Sequence, residues 1–136
     1  MVFGLFKGWR REKLYEKDIP QEWLDLLEER FDFFSELKGD ERENFLRHLR
    51  IFMWEKDWFG AKDFEVTDEM KLVISAMAAR MGRKLPIEVF DNVKEFVIYP
   101  GHYRHREDQH DHVATMGTAH HFGTVVLSWD AVERGI

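Results

Sequence analysis

The sequence contains no cysteine, and proline is scarce, with three residues in a chain of 136. Without cysteine the chain forms neither a disulfide nor a thiolate metal site, so nothing in it requires an oxidising compartment. Basic residues are not in excess either, because 20 Lys and Arg stand against 26 Asp and Glu, for a formal net charge of −6. Broad contact with a phosphate backbone needs a basic face, so we predict no nucleic-acid partner.

Long apolar runs are also missing. No stretch of the sequence is long enough to span a bilayer, and the N-terminus interleaves aromatic and basic residues that a signal peptide would keep apart. We therefore predict a cytoplasmic protein with no membrane span. Residues 1–17 are predicted to form a frayed leader that packs one or two aromatic side chains on the domain. The alternative is that this aromatic and basic leader touches a membrane surface.

Apolar residues are nevertheless abundant. They make up 44% of the chain, and aromatic residues make up 15%, which is typical of a folded protein with an aromatic-rich core. A chain of this length supports one domain with a real core and is short for two. We therefore predict that residues 18–136 form a single α+β domain.

Apolar residues at helical spacing predict three N-terminal helices. The first begins near Pro20 and ends at Gly39. The second is capped by Asp40. The third runs from Thr67, a good N-cap, to Gly82, and it is apolar around most of its circumference. A helix of that kind is expected in the middle of the fold.

Later segments carry the β-branched and aromatic residues that are typical of strands. They lie at 93–99 and 124–129, and residues 58–66 add a less regular strand or hairpin arm. The predicted fold is therefore α+β, with the three N-terminal helices packed on a small, mainly antiparallel β-sheet. Unpaired strand edges would favour a homodimer.

Several short runs together resemble one family. They are Phe-Glu-Val-Thr-Asp-Glu-Met at 64–70, Val-Ile-Tyr-Pro at 97–100 and Val-Val-Leu-Ser-Trp-Asp-Ala-Val at 125–132. Trp-Arg-Arg at 9–11 and the spacing of Pro20 and Trp23 agree with the start of the same family. In order and spacing these segments resemble the glucose-regulated metallopeptidase family, also called the Mlc titration factor A family. Ala131 stands where that family commonly has a second Asp.

The resemblance implies a partial zincin-like fold, with a catalytic region like that of anthrax lethal factor. It also implies a zinc-dependent peptidase in the intact family, in which a His-Glu-x-x-His helix binds the metal shortly after the last matched strand. In this sequence no His is followed by Glu. We therefore expect a truncated or partial family member with no catalytic residue, no cofactor of its own and no peptidase activity alone. A peptide substrate is expected only for a completed protein.

Two substrate-binding candidates follow from the same resemblance. In zincins, the strand before the metal helix often forms the edge along which an extended peptide lies. Residues 126–129 would be that strand, and Ser128 and Trp129 would face the cleft. The alternative is that this strand simply closes the sheet.

A histidine-rich segment is the other candidate site. Six of the seven histidines fall in residues 102–121, and alternating residues of an extended segment share a face. Imidazoles with a carboxylate suit zinc, and a more open geometry suits iron or nickel. The candidate ligands are His105, His110, His112 and His120. The alternative is an inert, solvated loop.

Two further functions remain open. The chain is either a stand-alone binding or regulatory module on the family scaffold, or a small metal-binding protein that uses the histidine-rich segment. For a binding module, the resemblance implies a protein partner such as a glucose-responsive transcriptional repressor.

Overall fold

The computed structural model describes residues 2–101, 117–119 and 123–135, with side chains described for 6–101 and 123–135. The described elements confirm the α+β class. In chain order they are α1 (Val2–Tyr15), α2 (Gln21–Arg30), α3 (Asp32–Glu36), α4 (Gly39–Trp54), β1 (Asp57–Gly60), α5 (Asp68–Met81), a 3-10 turn (Ile87–Phe90), β2 (Glu95–Tyr99), β3 (Gly117–Ala119), β4 (Thr124–Ser128) and α6 (Trp129–Arg134).

The four described strands form one mixed sheet in the order β1-β2-β4-β3. The pairings β1 with β2 and β2 with β4 are parallel, and only β3 runs antiparallel to its neighbour β4. The prediction of a mainly antiparallel sheet is therefore wrong. Parallel neighbours need a long crossover connection, and α5 with the 3-10 turn supplies it between β1 and β2.

The core lies where α4 and α5 pack together against the sheet. The buried face of α5 confirms that this helix occupies the middle of the fold. Thr67 caps the helix as predicted, because its Oγ1 accepts a hydrogen bond from the Met70 N–H at 3.2 Å. The side chains of α5 that are buried are Leu72, Val73, Ile74, Ser75, Ala76 and Ala79.

The first predicted helix is instead two short helices, α2 and α3. Phe31 lies between them in an extended conformation, with φ −128° and ψ 115°, and its ring packs 5.4 Å from that of Phe33. Gly39 does not end a helix, because it is the first residue of α4, in the left-handed region at φ +57°. Asp40 is not the cap either. It lies in the first turn of α4, whose N-cap position is Lys38.

The prediction of a frayed leader is wrong for residues 2–15, because they form the helix α1. Arg11 is its buried residue, 4% exposed, whereas Phe6 and Trp9 are 59% and 61% exposed. Of the described aromatic side chains in this helix, only Tyr15 is half-buried. The helix therefore attaches to the domain mainly through a charged side chain and turns two aromatic ones outward.

Within the ranges that the structure describes, no helix has both the length and the apolar character needed to cross a membrane.

Candidate functional site

The strand predicted to bind a peptide lies inside the sheet. β4 pairs with β2 over residues 124–128 and with β3 over residues 125–127, where Val126 lies opposite Thr118. The main chain of β4 therefore has a neighbouring strand on both sides over 125–127. The prediction that β4 forms a free edge is wrong there, and the edges of the described sheet are β1 and β3.

Ser128 and Trp129 stand at the junction between β4 and α6. Ser128 is 1% exposed, and its Oγ accepts a hydrogen bond from the Ala131 N–H at 3.2 Å, which caps α6. Trp129 is the first residue of α6 and packs, partly buried, against the core. Both side chains therefore have structural roles at this junction. Their contact with a peptide stays a prediction.

The four predicted metal ligands fall outside the described residues, so the metal site stays a prediction. They are His105, His110, His112 and His120. The described residues on either side of 102–116 lie at one end of the sheet, because Gly101 follows the carboxyl end of β2 and Gly117 pairs with Leu127 near the carboxyl end of β4. Residue 120 follows Ala119, which pairs with Val125 toward the other end of β4.

His48 is the one histidine in the described part of the chain. It is 6% exposed, and its Nδ1 lies 3.0 Å from the Asn44 carbonyl oxygen while its Nε2 lies 2.9 Å from the Leu85 carbonyl oxygen. Whichever tautomer is present, one ring N–H of His48 donates to a backbone carbonyl oxygen, and the buried ring has a structural role. No group of three His, Asp or Glu within the described ranges is arranged to hold a metal. The described residues therefore do not fit the zinc that the resemblance implies.

A cluster of buried charges joins α1 to the end of α4 and to the residue after the 3-10 turn. Arg11 donates from Nε and Nη2 to the two carboxylate oxygens of Glu55, at 2.8 and 2.7 Å, and from Nη2 to Asp91 at 2.9 Å. Lys56 is 7% exposed and donates to the Phe90 carbonyl oxygen at 3.0 Å. Its Nζ also lies 3.4 Å from Glu55.

These contacts shift the pKa of every member of the cluster. Burial alone would raise the pKa of the Glu55 carboxyl, but the hydrogen bond and charge of Arg11, with the charge of Lys56, bring it below its usual value. The same balance of burial against Arg11 lowers the pKa of Asp91. The hydrogen bond to Glu55 raises the pKa of Arg11, whereas burial lowers the pKa of Lys56.

Shifted pKa values often mark catalytic groups, but here every group is engaged by a partner within the cluster. We therefore assign it a structural role, which is to fasten α1. The sequence carries no signal for this cluster, because Arg11 reaches residues 44 and 80 positions away in the chain.

A groove of 360 Å³ opens on the other side of His48. It lies between the end of α1, the middle of α4 and residues 83–87, and its walls carry hydrogen-bond donors. The Arg47 guanidinium lies 5.0 Å above the Tyr15 ring. Burial raises the pKa of the Tyr15 hydroxyl, so this group keeps its proton and can donate. The donor side chains that line the groove are Tyr15, Asn44, Arg47, Arg83 and Lys84.

Comparison with known proteins identifies a family whose profile matches most of this chain. The profile of the family described as glucose-regulated metallo-peptidase M90 matches residues 6–136, from α1 through α6. The uncharacterized protein slr2042 from Synechocystis sp. (strain ATCC 27184 / PCC 6803 / Kazusa) is 24% identical over 133 residues, which cover 91% of this chain and 48% of that protein. The chain thus spans about half the length of that relative. No solved structure matches it. The resemblance predicted from the short runs is confirmed, and the chain belongs to the glucose-regulated metallo-peptidase M90 family.

Proposed function

We propose that this chain is the scaffold part of a zinc-metallopeptidase-family domain and has no peptidase activity by itself. The observation that carries the proposal is a family match over residues 6–136 in a sequence without a His-Glu-x-x-His motif. A zincin holds its metal with two imidazoles one helical turn apart and uses the glutamate beside the first of them as general base. The two ring nitrogens of the buried His48 face backbone carbonyl oxygens at 3.0 and 2.9 Å, so this histidine is not positioned as a metal ligand, which supports the same proposal.

The direction of the strands indicates what such a scaffold would do in a longer protein. β1, β2 and β4 are parallel, so their carboxyl ends meet at one end of the sheet, where Ser128 caps α6. Ser128 pairs with Tyr99 of β2 and lies one residue beyond the part of β4 that the described β3 covers. We therefore propose that the peptide cleft of a longer protein lies at this end of the sheet, beside Ser128 and Trp129, and not along the middle of β4.

The first test is an activity assay on the purified 136-residue chain. With one equivalent of zinc, it is expected to cleave fluorescent casein no faster than the same sample treated with a chelator, because its sequence has no His-Glu-x-x-His motif. A family member that contains His-Glu-x-x-His serves as the positive control. A cooperative thermal transition, followed by circular dichroism on the same sample, shows that the protein assayed is folded. Cleavage that a chelator abolishes would contradict the proposal.

A second candidate function is a binding module, and the exposed side of α1 favours it. Phe6 and Trp9 project from the side of this helix opposite Arg11, which fastens it to the domain. Exposed aromatic side chains of this kind are frequent anchors in protein interfaces. By the family resemblance, the partner would be a glucose-responsive transcriptional repressor.

This second candidate predicts saturable binding to such a repressor from the same genome, measured by biolayer interferometry. The double substitution Phe6→Ser with Trp9→Ser is expected to abolish the binding, because it removes both anchors. Arg10→Gln, on an exposed neighbour in the same helix, is the control and should bind as the unmodified chain does. If the unmodified chain does not bind the repressor, this candidate is eliminated.

A further inference from the structure

We propose that the groove between α1, α4 and residues 83–87 binds a small organic anion through its phosphate or carboxylate group. The inference does not rest on the proposed peptidase scaffold, because the groove is complete within the described residues and none of its lining residues belongs to the sheet or to α6. It would therefore be a separate site, with its own ligand.

The side chains that line the groove give it a positive charge. Its three cations are Arg47, Arg83 and Lys84, and no carboxylate side chain lines it. None of the three forms an ion pair within the described part of the chain, whereas Arg11 and Arg30 are both paired with carboxylates. Glu12 and Glu88 lie near Tyr15, but neither lines the groove, so its three neighbouring cations still create a local positive potential that attracts an anion.

His48 reduces the number of free hydrogen-bond acceptors in the groove. The carbonyl oxygens of Asn44 and Leu85 belong to residues that line the groove, and the His48 ring lies against both and donates an N–H to one of them. The polar groups left to a ligand are then mainly donors, including the Tyr15 hydroxyl. His48 also links α4 to the segment 83–87, so a buried side chain holds the two walls of the groove together.

The guanidinium of Arg83 has an N–H group without a hydrogen-bond acceptor. Its Nη1 donates to the Arg80 carbonyl oxygen at 2.8 Å, while its Nε is buried and has no hydrogen-bond partner. A buried N–H without an acceptor is destabilising, so the free protein bears a cost that a turn of this guanidinium toward a ligand oxygen in the groove would relieve. A guanidinium presents paired donors that match two oxygens of a carboxylate or a phosphate.

The size of the groove limits the ligand. Its volume of 360 Å³ lies near the lower end of the range for small-molecule sites, which is roughly 300–1,000 Å³. Besides the donors, the half-buried Tyr15 ring and the half-exposed Leu85 offer apolar surface. The combination fits a small organic body that carries one anionic group.

The test is a titration of the 15N-labelled full chain, followed by NMR, with phenyl phosphate and with benzoate as separate probes. Sodium chloride at matched ionic strength is the blank. We expect saturable shifts confined to amides around residues 44–48 and 83–87. Binding of phenyl phosphate alone would identify a phosphate ligand, binding of benzoate alone a carboxylate ligand, and binding of both a site for either group. Shifts no larger than those in sodium chloride, with both probes, would overturn the proposal.

Two variants in the groove and one control variant outside it test where the anion binds. Arg83→Gln and Arg47→Gln are each expected to weaken the binding of the active probe by about tenfold or more, because each removes a charged donor. Arg10→Gln makes the same change in charge on an exposed residue outside the groove and should leave the affinity within about twofold. An equal loss in all three variants would show non-specific attraction and would also overturn the proposal. Amide spectra of each variant without ligand check that it is folded.

Discussion

Phe52→Ala is expected to lower the free energy of unfolding by about 4 kcal/mol, because it opens a cavity at the junction of three elements. Phe52 is 1% exposed. Its ring packs edge-on against Phe90 of the 3-10 turn, with centroids 5.1 Å apart, and against Phe96 of β2 at 6.3 Å. The backbone around it is held by helix and sheet hydrogen bonds, so little collapse into the space is expected.

Urea unfolding followed by tryptophan fluorescence measures this loss. Phe52→Leu retains most of the apolar volume and should cost less than about 1.5 kcal/mol. Val89→Ala, at a neighbouring position that is 51% exposed, should change the stability by no more than about 0.5 kcal/mol. A loss below about 1 kcal/mol for Phe52→Ala would mean that the ring does not fill the core as described.

Arg11→Met is expected to cost about 3 kcal/mol at neutral pH, because it leaves the Glu55 carboxylate without its main partner in a largely buried position. The Glu55 side chain is 17% exposed, and the substitution also removes the hydrogen bond to Asp91. Arg10→Met, on the exposed neighbour in the same helix, is the control and should fall within about 0.5 kcal/mol of the unmodified chain. Equal effects of the two substitutions would contradict the role of Arg11.

The same variant should also change the dependence of stability on pH. In the folded chain the pKa values of Glu55 and Asp91 lie below their ordinary values of 4.5 and 3.8. Their contribution is therefore complete above the ordinary carboxyl pKa and is lost as the pH falls through the lower folded-state values. Unfolding free energies measured from neutral to acidic pH should fall more steeply for the unmodified chain than for Arg11→Met. Parallel curves would mean that these carboxyls do not depend on Arg11.

Elements with local signals could be predicted from the sequence. The helix α5 has a hydroxyl cap at Thr67 and a glycine stop at Gly82, and both are observed at its ends. The capping role of Ser128 had a local signal as well, because Asp130 follows it in the first turn of α6. The resemblance to zincins predicted a place for Ser128 in the peptide cleft instead, and this capping signal was not used.

Features decided by tertiary contacts could not be predicted in this way. The β-branched and aromatic residues that predict β2 and β4 do not by themselves give the direction of pairing, and the two strands are parallel. The spacing of Leu27, Phe31 and Phe34 continues a helical stripe, yet Phe31 is extended and all three side chains are buried. Similarly, the groove exists only because the fold brings residues 83–87 against α4.

The parallel order of the sheet has a consequence for how the chain acquires its structure. Asp57 pairs with Glu95, and Glu95 with Thr124, so a long loop must close before either parallel pairing can form. Among the described strands, β3 and β4 alone are close enough in the chain to join early as a hairpin. During synthesis, β1 leaves the ribosome well before β2 exists. A nascent chain therefore carries an unpaired strand until its partner arrives, and in that interval it is most prone to aggregate or to be bound by a chaperone.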